Sequence, residues 1–343
     1  MATRPTINDV ARTAGVSVTT VSHALNGKGR VDPATREHVL QVVQQLGYRA
    51  NRHARGLRSG RSGTLALLLP VDADVHADEA LRLDYYMRLA AAAAAAAFAR
   101  EQALVLLPPA IVQTGLRGLA MDGGIVVEPV PRDPRVSMLT GHGLPVVTID
   151  ADPGWPDERW YVTSGTHADT VRVLDHLAAM GARRVALLVP DTRWGWAADV
   201  RDAYDAWTAQ HGMPRMTVPV AMRPGEESAF AAARNLLSGP QPPDALFVGA
   251  ARFVRGTLRA AKSCGCQVPG DLLIAAGVDC LQAREGDPPV TALDLHPERQ
   301  AEAAVEMLLA RLDGTQVTAP AYIEATLRLR ASTASLEGLA WLV

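Results

Sequence analysis

The apolar positions of the chain follow two different periods, and the change between them falls near residue 64. Up to about residue 47 they recur at three- and four-residue spacing in short blocks, which predicts helices. From Thr64 onward, continuous apolar runs alternate with longer amphipathic stretches, a pattern typical of buried parallel strands joined by helices. The pattern therefore predicts a small all-α segment followed by a larger α/β body.

Start and stop signals divide the first segment into three helices. The stretch TIND at residues 6–9 supplies an N-cap hydroxyl with an acid three residues later, and Gly15 predicts the end of that helix. A second helix is predicted over 17–27, and a third over 32–47, with a proline at its first helical position. The inward apolar positions are those of one miniature core.

The outward face of the second helix carries short hydrogen-bonding side chains and no large charge. Val18, Thr19, Ser22, His23 and Asn26 fall on one stripe at helical spacing. Such a stripe fits a major groove, because short side chains let a helix approach the base edges closely. An ordinary polar surface remains the alternative, although the tight AGVS turn before this helix favours DNA binding.

The body contains two sets of strand-like runs, which predict two doubly wound sheets. We expect the chain to cross between the two halves near Val162 and near Val290, and ligand chemistry at the carboxyl ends of the strands. The first set is TLALLLP, ALVLLPP, GIVVEP and LPVVTID, and the second is RRVALLVPD, PDALFVGA and DLLIAAGVD.

Net charge separates the two parts more sharply than hydropathy does. Residues 1–63 carry a formal charge of +7, which leaves −9 on the remainder of a chain whose total is −2. A basic head on an acidic body indicates a polyanionic partner, since each Lys or Arg placed on a phosphate releases condensed counterions. Charge alone leaves open a head that is merely well solvated.

A resemblance to the LacI/GalR family of bacterial transcription regulators is carried by residues 6–70, TINDVARTAGVSVTTVSHALNGKGRVDPATREHVLQVVQQLGYRANRHARGLRSGRSGTLALLLP. It implies a helix-turn-helix headpiece at 1–50, a hinge helix and linker at 51–63, and an effector-binding and dimerisation domain at 64–343. The last resembles type I periplasmic-binding proteins. The resemblance implies a first subdomain of 64–161 plus 291–319, and a second of 162–290 plus 320–330.

The resemblance also assigns candidate DNA contacts. By composition alone, Leu57 is an incidental residue of a basic linker. The resemblance implies instead that Leu57 is a wedge that enters the minor groove when two hinge helices pair. Unstacking a base step is then offset by the extra surface that bent DNA contacts. The implied DNA-binding residues are Thr6, Ser17, Val18, Thr19, Ser22, His23, Asn26, Tyr48, Asn51, Arg52, Arg55, Leu57 and Arg58.

Candidate effector contacts lie at the expected cleft. The resemblance points to Asp279, after a late strand, and to Arg201, although Val200 stands where the family has arginine. Asp150 ends the last strand of the first half, and four aromatic residues could stack on a ligand or simply pack in the core. Ala250 and Ala251 stand where the family commonly has an Asn-Asp pair. The loss of these two hydrogen-bonding side chains disfavours a sugar as the ligand. The aromatic candidates are Tyr85, Tyr86, Trp194 and Trp196.

We therefore interpret the chain as a cytoplasmic, nucleoid-associated, homodimeric repressor of near-palindromic operator DNA, controlled by a small-molecule effector. No cofactor, metal site, catalytic set or membrane span is predicted, and Cys264, Cys266 and Cys280 read as reduced thiols. The alternatives are a free-standing small-molecule-binding protein and an α/β enzyme. The enzyme is disfavoured because GxGxxG after the first strand, GxxxxGK[ST], GxSxG and HExxH are all missing.

Overall fold

A computed structural model describes residues 5–26, 31–48, 61–70, 84–108, 111–116 and 118–333. The chain divides into two compact units, Met1–Gly63 and Thr64–Val343. The first unit is all α over its described residues, and the second contains two largely parallel sheets. This arrangement confirms the predicted fold class.

The described residues of the first unit form three short helices: α1 (Ile7–Ala14), α2 (Val18–Asn26) and α3 (Pro33–Leu46). Thr6 and Asp9 form a reciprocal capping box at the start of α1, and Asp32 caps α3. Both helices end at a glycine in the left-handed conformation, Gly15 and Gly47, where a side chain would strain the backbone. The core between the helices contains Val10, Ala11, Ala14, Val21, Ala24, Val39 and Val42.

The second unit alternates strands and helices along its length. In chain order its elements are β1 (Thr64–Leu68), α4 (Asp84–Ala99), β2 (Ala103–Leu107), α5 (Ile111–Thr114), β3 (Gly123–Val127), α6 (Pro134–Gly141), β4 (Val146–Ile149), β5 (Tyr161–Thr163), α7 (Thr166–Ala179), β6 (Val185–Pro190), α8 (Gly195–Gln210), β7 (Thr217–Val220), α9 (Glu226–Leu237), β8 (Ala245–Val248), α10 (Ala251–Ser263), β9 (Leu273–Ala276), α11 (Leu281–Arg284), β10 (Thr291–Asp294), α12 (Pro297–Leu312), β11 (Ala321–Tyr322) and β12 (Thr326–Arg328).

The strands form two six-stranded sheets. The first has the order β11-β5-β4-β3-β1-β2 and is parallel throughout. The second has the order β12-β10-β9-β8-β6-β7, in which β12 alone runs antiparallel to its neighbour. The central strands β3, β6 and β8 are buried along their whole length, as expected where helices cover both faces of a sheet.

The predicted crossings between the halves are wrong by a few residues. β5 (Tyr161–Thr163) still belongs to the first sheet, β10 (Thr291–Asp294) belongs to the second, and β11 (Ala321–Tyr322) returns to the first. In each case one short strand, held by ladder hydrogen bonds, stays in the preceding sheet or returns to the other sheet beyond the predicted boundary. The chain therefore crosses at 164–165, at 295–296 and at 323–325.

Helices α9 and α10 approach so closely that their backbones touch at Gly256. A Cβ at this position would lie 2.0 Å from the carbonyl oxygen of Glu226 and 2.9 Å from the amide nitrogen of Phe230. Neither atom can move without shifting α9. Gly256 is therefore a packing requirement of the second half.

We expect Gly256→Ala to lower the free energy of unfolding by about 2 kcal/mol, because the added methyl group overpacks this contact. In an open helix the same change is stabilising by about 0.5–1 kcal/mol. Gly141→Ala is the matched control, since nothing lies within 4 Å of a Cβ at the end of α6. Urea denaturation of both variants checks the prediction, and equal effects at the two sites would contradict it.

Candidate functional site

Helix α2 presents part of the predicted DNA-reading stripe to solvent. Val18, 41% exposed, and Thr19 lie on the surface, and His23 is half-buried. Ser22 does not belong to the stripe, because α2 packs against both α1 and α3 and leaves Ser22 only 6% exposed. The exposed surface of α2 is therefore narrower than the spacing predicted.

Three of the residues expected to contact the DNA backbone cap helices or pack against the core in the described part of the chain. The Thr6 hydroxyl donates to Asp9 Oδ2 at 2.7 Å, and Ser17 Oγ accepts the amide of Thr20 at 3.0 Å, so both residues fix helix starts. Tyr48 packs partly buried against the core of the three helices. The side chain of Asn26 and the predicted contacts Asn51, Arg52, Arg55, Leu57 and Arg58 lie outside the described residues.

A cavity opens within the second unit at the carboxyl ends of both sheets. We call it the central cavity. Its empty space, counted together with the solvent at its open mouth, is about 870 Å³. Its lining residues from the first half are Tyr85, Tyr86, Glu128, Asp150 and Gln300. Those from the crossing segments and the second half are Ser164, Thr166, Asp169, Thr170, Trp194, Trp196, Val200, Met222, Phe247, Gly249, Ala250, Ala251, Arg252, Gly277, Val278, Leu293 and Leu295.

Two carboxylates follow adjacent strands of the first sheet. Glu128 comes directly after β3 and Asp150 directly after β4, and both have left-handed backbones, with φ of 48° and 71°. Their amides still donate to the ladder, Glu128 to Ile149 and Asp150 to Val162, each at 2.8 Å. The last ladder bonds therefore hold both residues at the sheet edge in a conformation that side chains other than those of Asn and Asp rarely adopt.

Burial makes both carboxyl groups weaker acids than exposed carboxyl groups are. Burial raises the pKa of Glu128 to about 7, although the Tyr86 hydroxyl donates to its Oε2 at 2.7 Å. Burial, followed by repulsion from Glu128, raises the pKa of Asp150 to about 7, and a hydrogen bond from Thr163 opposes this. The two acids thus compete for protons near neutral pH.

Aromatic residues line the cavity beside these carboxyl groups. Tyr85 and Tyr86 meet edge to face with ring centroids 5.2 Å apart, and Trp194 and Trp196 stack at 5.8 Å. The Tyr85 hydroxyl donates to Gln300 Oε1 at 2.6 Å. All four aromatic candidates line the cavity while being largely buried, so they also pack against the core.

Two of the predicted effector contacts lie elsewhere. Asp279 is 8% exposed at its side chain and pairs with Arg330 Nη2 at 2.9 Å and Arg284 Nη1 at 3.5 Å, so the cations of its own half occupy it. Arg201 lies beside the carbonyl of Thr192 at 3.4 Å, because one residue along a helix rotates the side chain by about 100°. Val200 lines the cavity in its place.

Two family profiles match the chain. The profile of the bacterial regulatory proteins of the lacI family covers residues 6–51, and that of the periplasmic binding protein-like domain covers residues 174–333. The HTH-type transcriptional regulator CelR of Thermobifida fusca is 28% identical over 91% of this chain and 93% of its own length. The HTH-type transcriptional regulator AglR of Rhizobium meliloti (strain 1021) is 28% identical over 80% and 78%.

The chain belongs to the lacI family of bacterial regulatory proteins. The solved complex of CelR with cellobiose superposes with a TM-score of 0.70 at 26% identity, over 96% of this chain and all of the other. The lac repressor dimer bound to operator and the anti-inducer ONPF gives 0.77 at 20% identity, over 97% and 100%, which shows the common fold. This lacI-family chain is a DNA-binding transcription regulator. Within the described part of the chain, no helix has the length and hydrophobicity of a membrane span.

Sequence reasoning on this lacI-family chain missed Glu128, Asp169, Arg252 and Gln300 as cavity residues. Glu128 ends its strand as Asp150 does, so the rule that selected Asp150 could also have selected it. Asp169 and Gln300 lie inside amphipathic helices, where polar residues ordinarily face solvent. Only the packing of α7 and α12 shows that both are 2% exposed.

We expect Glu128→Gln and Asp150→Asn each to stabilise the protein at pH 8 by about 1 kcal/mol, because each removes one buried charge. The folded pKa values near 7 exceed the ordinary values near 4. The folded state therefore binds more protons between pH 4 and 7, and wild-type stability falls as pH rises through that window. Thermal melts from pH 5 to 8 check this, with the exposed Glu302→Gln as control. Variants that match wild type at pH 8 would contradict the prediction.

Proposed function

We propose that this regulator binds a near-palindromic operator as a homodimer and represses transcription, and that a small organic effector in the central cavity controls its operator binding. The exposed Val18 and Thr19 on α2, together with the charge of +7 on residues 1–63, support docking of the first unit on DNA. We propose the same role for the hinge residues 51–58. A protein working on genomic DNA belongs in the cytoplasm, at the nucleoid.

The observation that carries the effector proposal is the composition of the cavity wall. Glu128 and Asp150 come from the first sheet, whereas Trp194, Trp196 and Arg252 come from segments that follow β6 and β8 of the second. A ligand that contacts both sets binds one arrangement of the halves more tightly than any other. That difference in affinity shifts the population of arrangements, which is what effector control of DNA binding requires.

We propose no catalytic role for the cavity. Paired carboxylates such as Glu128 and Asp150 serve in hydrolases, which makes an enzyme the second candidate. The fusion of the cavity-bearing unit to a DNA-binding unit favours the regulator. Turnover of glycosides by the full chain would support the enzyme and contradict a purely regulatory role.

Selection from random DNA duplexes by the purified full chain tests the proposal. We expect enrichment of a sequence with two inverted half-sites, bound in a ratio of two chains per duplex. Metabolites are then screened for release of that duplex. Failure to enrich any sequence would contradict operator binding, and a duplex that no metabolite releases or tightens would contradict effector control.

A further inference from the structure

The central cavity is lined by both carboxyl groups and aromatic rings. Glu128, Asp150 and Asp169 supply three carboxyl groups, and among the described lining residues Arg252 is the one basic side chain. The same cavity is lined by tyrosine and tryptophan rings, whose faces carry partial negative charge. The carboxylates and the ring faces both contribute negative potential, and Arg252 is the opposing charge among the described lining residues.

The carboxylates of the cavity are hydrogen-bond acceptors, and the tyrosine hydroxyls beside them are already engaged as donors. The hydroxyls of Tyr85 and Tyr86 already donate, to Gln300 at 2.6 Å and to Glu128 at 2.7 Å. Neither oxygen of Asp169 accepts a hydrogen bond of good geometry among the described residues, and that side chain is buried. A ligand group that satisfies these carboxylates supplies several donors, as an ammonium group does.

Two cations near the cavity, Arg135 and Arg172, have partners of their own. Arg135 donates to both oxygens of Asp133 and to the carbonyl groups of Leu69 and Glu128. Arg172 lies 3.5 Å from Asp169 Oδ1, close enough to compensate that carboxylate in part. No cation of the protein pairs with the side chain of Asp150 among the described residues, and Thr163 gives it its one hydrogen bond there.

A metal ion fits this cavity less well than an organic cation. Within the described ranges, no group of three or more His, Cys, Asp or Glu side chains converges as a set of metal ligands. The carboxyl groups are instead interspersed with the rings, as in the hydrogen bond from Tyr86 to Glu128. Rings that flank a charged group are the usual surroundings of bound organic ammonium groups.

We propose that the effector is an organic cation, a protonated amine on a small molecule, held with its ammonium group at Glu128 and Asp150 and its carbon body against the tyrosine and tryptophan rings. The proposal rests on the proposed function, because it names the class of ligand for the same cavity. It separates this chain from a regulator whose effector is an uncharged sugar.

Matched pairs of amines and alcohols test the charge directly. Isothermal titration of the full chain at pH 8 compares phenethylamine with 2-phenylethanol, 1,5-diaminopentane with 1,5-pentanediol, and glucosamine with glucose. We expect at least one amine to bind about tenfold or more tightly than its neutral partner, as charge-assisted bonds are about twice as strong as neutral ones. Glu128→Gln and Asp150→Asn should each weaken that amine about tenfold, whereas Glu302→Gln on the outer surface of α12 should not.

Thermal melts establish that both isosteric variants are folded before titration. The proposal is overturned if no amine binds, if a neutral partner binds as tightly as its amine, or if the affinity for the amine is unchanged by both cavity variants. Operator binding by the same preparations reports separately on the proposed function. Retained operator binding that a neutral sugar releases would reject the cationic ligand and keep the regulator.

Discussion

Replacing Asp133 with alanine is expected to lower the free energy of unfolding by about 3–5 kcal/mol, because it leaves a buried guanidinium without its counter-charge. The side chains of Asp133 and Arg135 are 2% and 4% exposed and meet at 2.7 Å. Asp133 also caps α6 and accepts the amides of Val130 and Arg135. Few positions in the second unit combine so many bonds on one side chain.

The effect reaches the central cavity through Arg135. Its guanidinium donates to the carbonyl groups of Leu69, at 2.6 Å, and of Glu128, at 3.2 Å, and so holds the segments that follow β1 and β3 side by side. We therefore expect Asp133→Ala to weaken effector binding as well as folding. Urea denaturation and ligand titration of one preparation measure both.

The pH dependence of this variant distinguishes the ion pair from simple packing. Burial raises the pKa of Asp133, but hydrogen bonds from Arg135 and its charge outweigh burial and leave the pKa below its ordinary value. The carboxylate therefore stabilises the fold above the unfolded pKa, near 4, and this contribution is lost as pH falls through the folded value. The loss of stability in Asp133→Ala relative to wild type should therefore shrink in acid. The exposed Asp157→Ala is the control, and a deficit independent of pH would contradict the ion pair.

Replacing Thr19 with glutamate should weaken operator binding about 100-fold, since it places a carboxylate on the exposed face of α2 that we propose reads bases. The loss is expected to persist at high salt, because the new charge lies against base edges as well as phosphates. Thr19 is exposed and absent from the core of the first unit, so folding should be unaffected.

A matched control places the same charge on another helix. Gln41 is exposed on α3, and Gln41→Glu should change operator affinity by no more than about threefold, the effect of one added charge at a distance. Fluorescence anisotropy with a selected duplex measures both variants from 50 to 300 mM salt. Equal losses for the two variants would show that charge, not the face of α2, governs binding.

The long central elements of this fold are predictable from the sequence because their burial is complete. Runs such as RRVALLVPD have no room for polar residues when helices cover both faces of a sheet. The short outer strands give no such signal. β7 has two partly buried residues and one exposed proline, and β11 is two residues long, so neither produces an apolar run.

The cavity was only partly predictable for a related reason. Residues at strand ends, such as Asp150, can be located by counting from the strand, and aromatic residues are conspicuous. Asp279 follows the same rule and yet pairs with Arg330, which is 51 residues away along the chain. A sequence pattern does not reveal that a distant arginine has already neutralised a carboxylate.

The three crossings between the sheets affect the order in which the parts of the protein can fold during synthesis. Both sheets take their outermost strands, β11 and β12, from residues 321–328, so neither can be completed until the ribosome has passed that point. The three helices of the first unit and the residues that pack on their core all lie within residues 1–48. Because domains generally fold as units during synthesis, we expect a nascent chain to hold a finished DNA-binding head well before it has a ligand site.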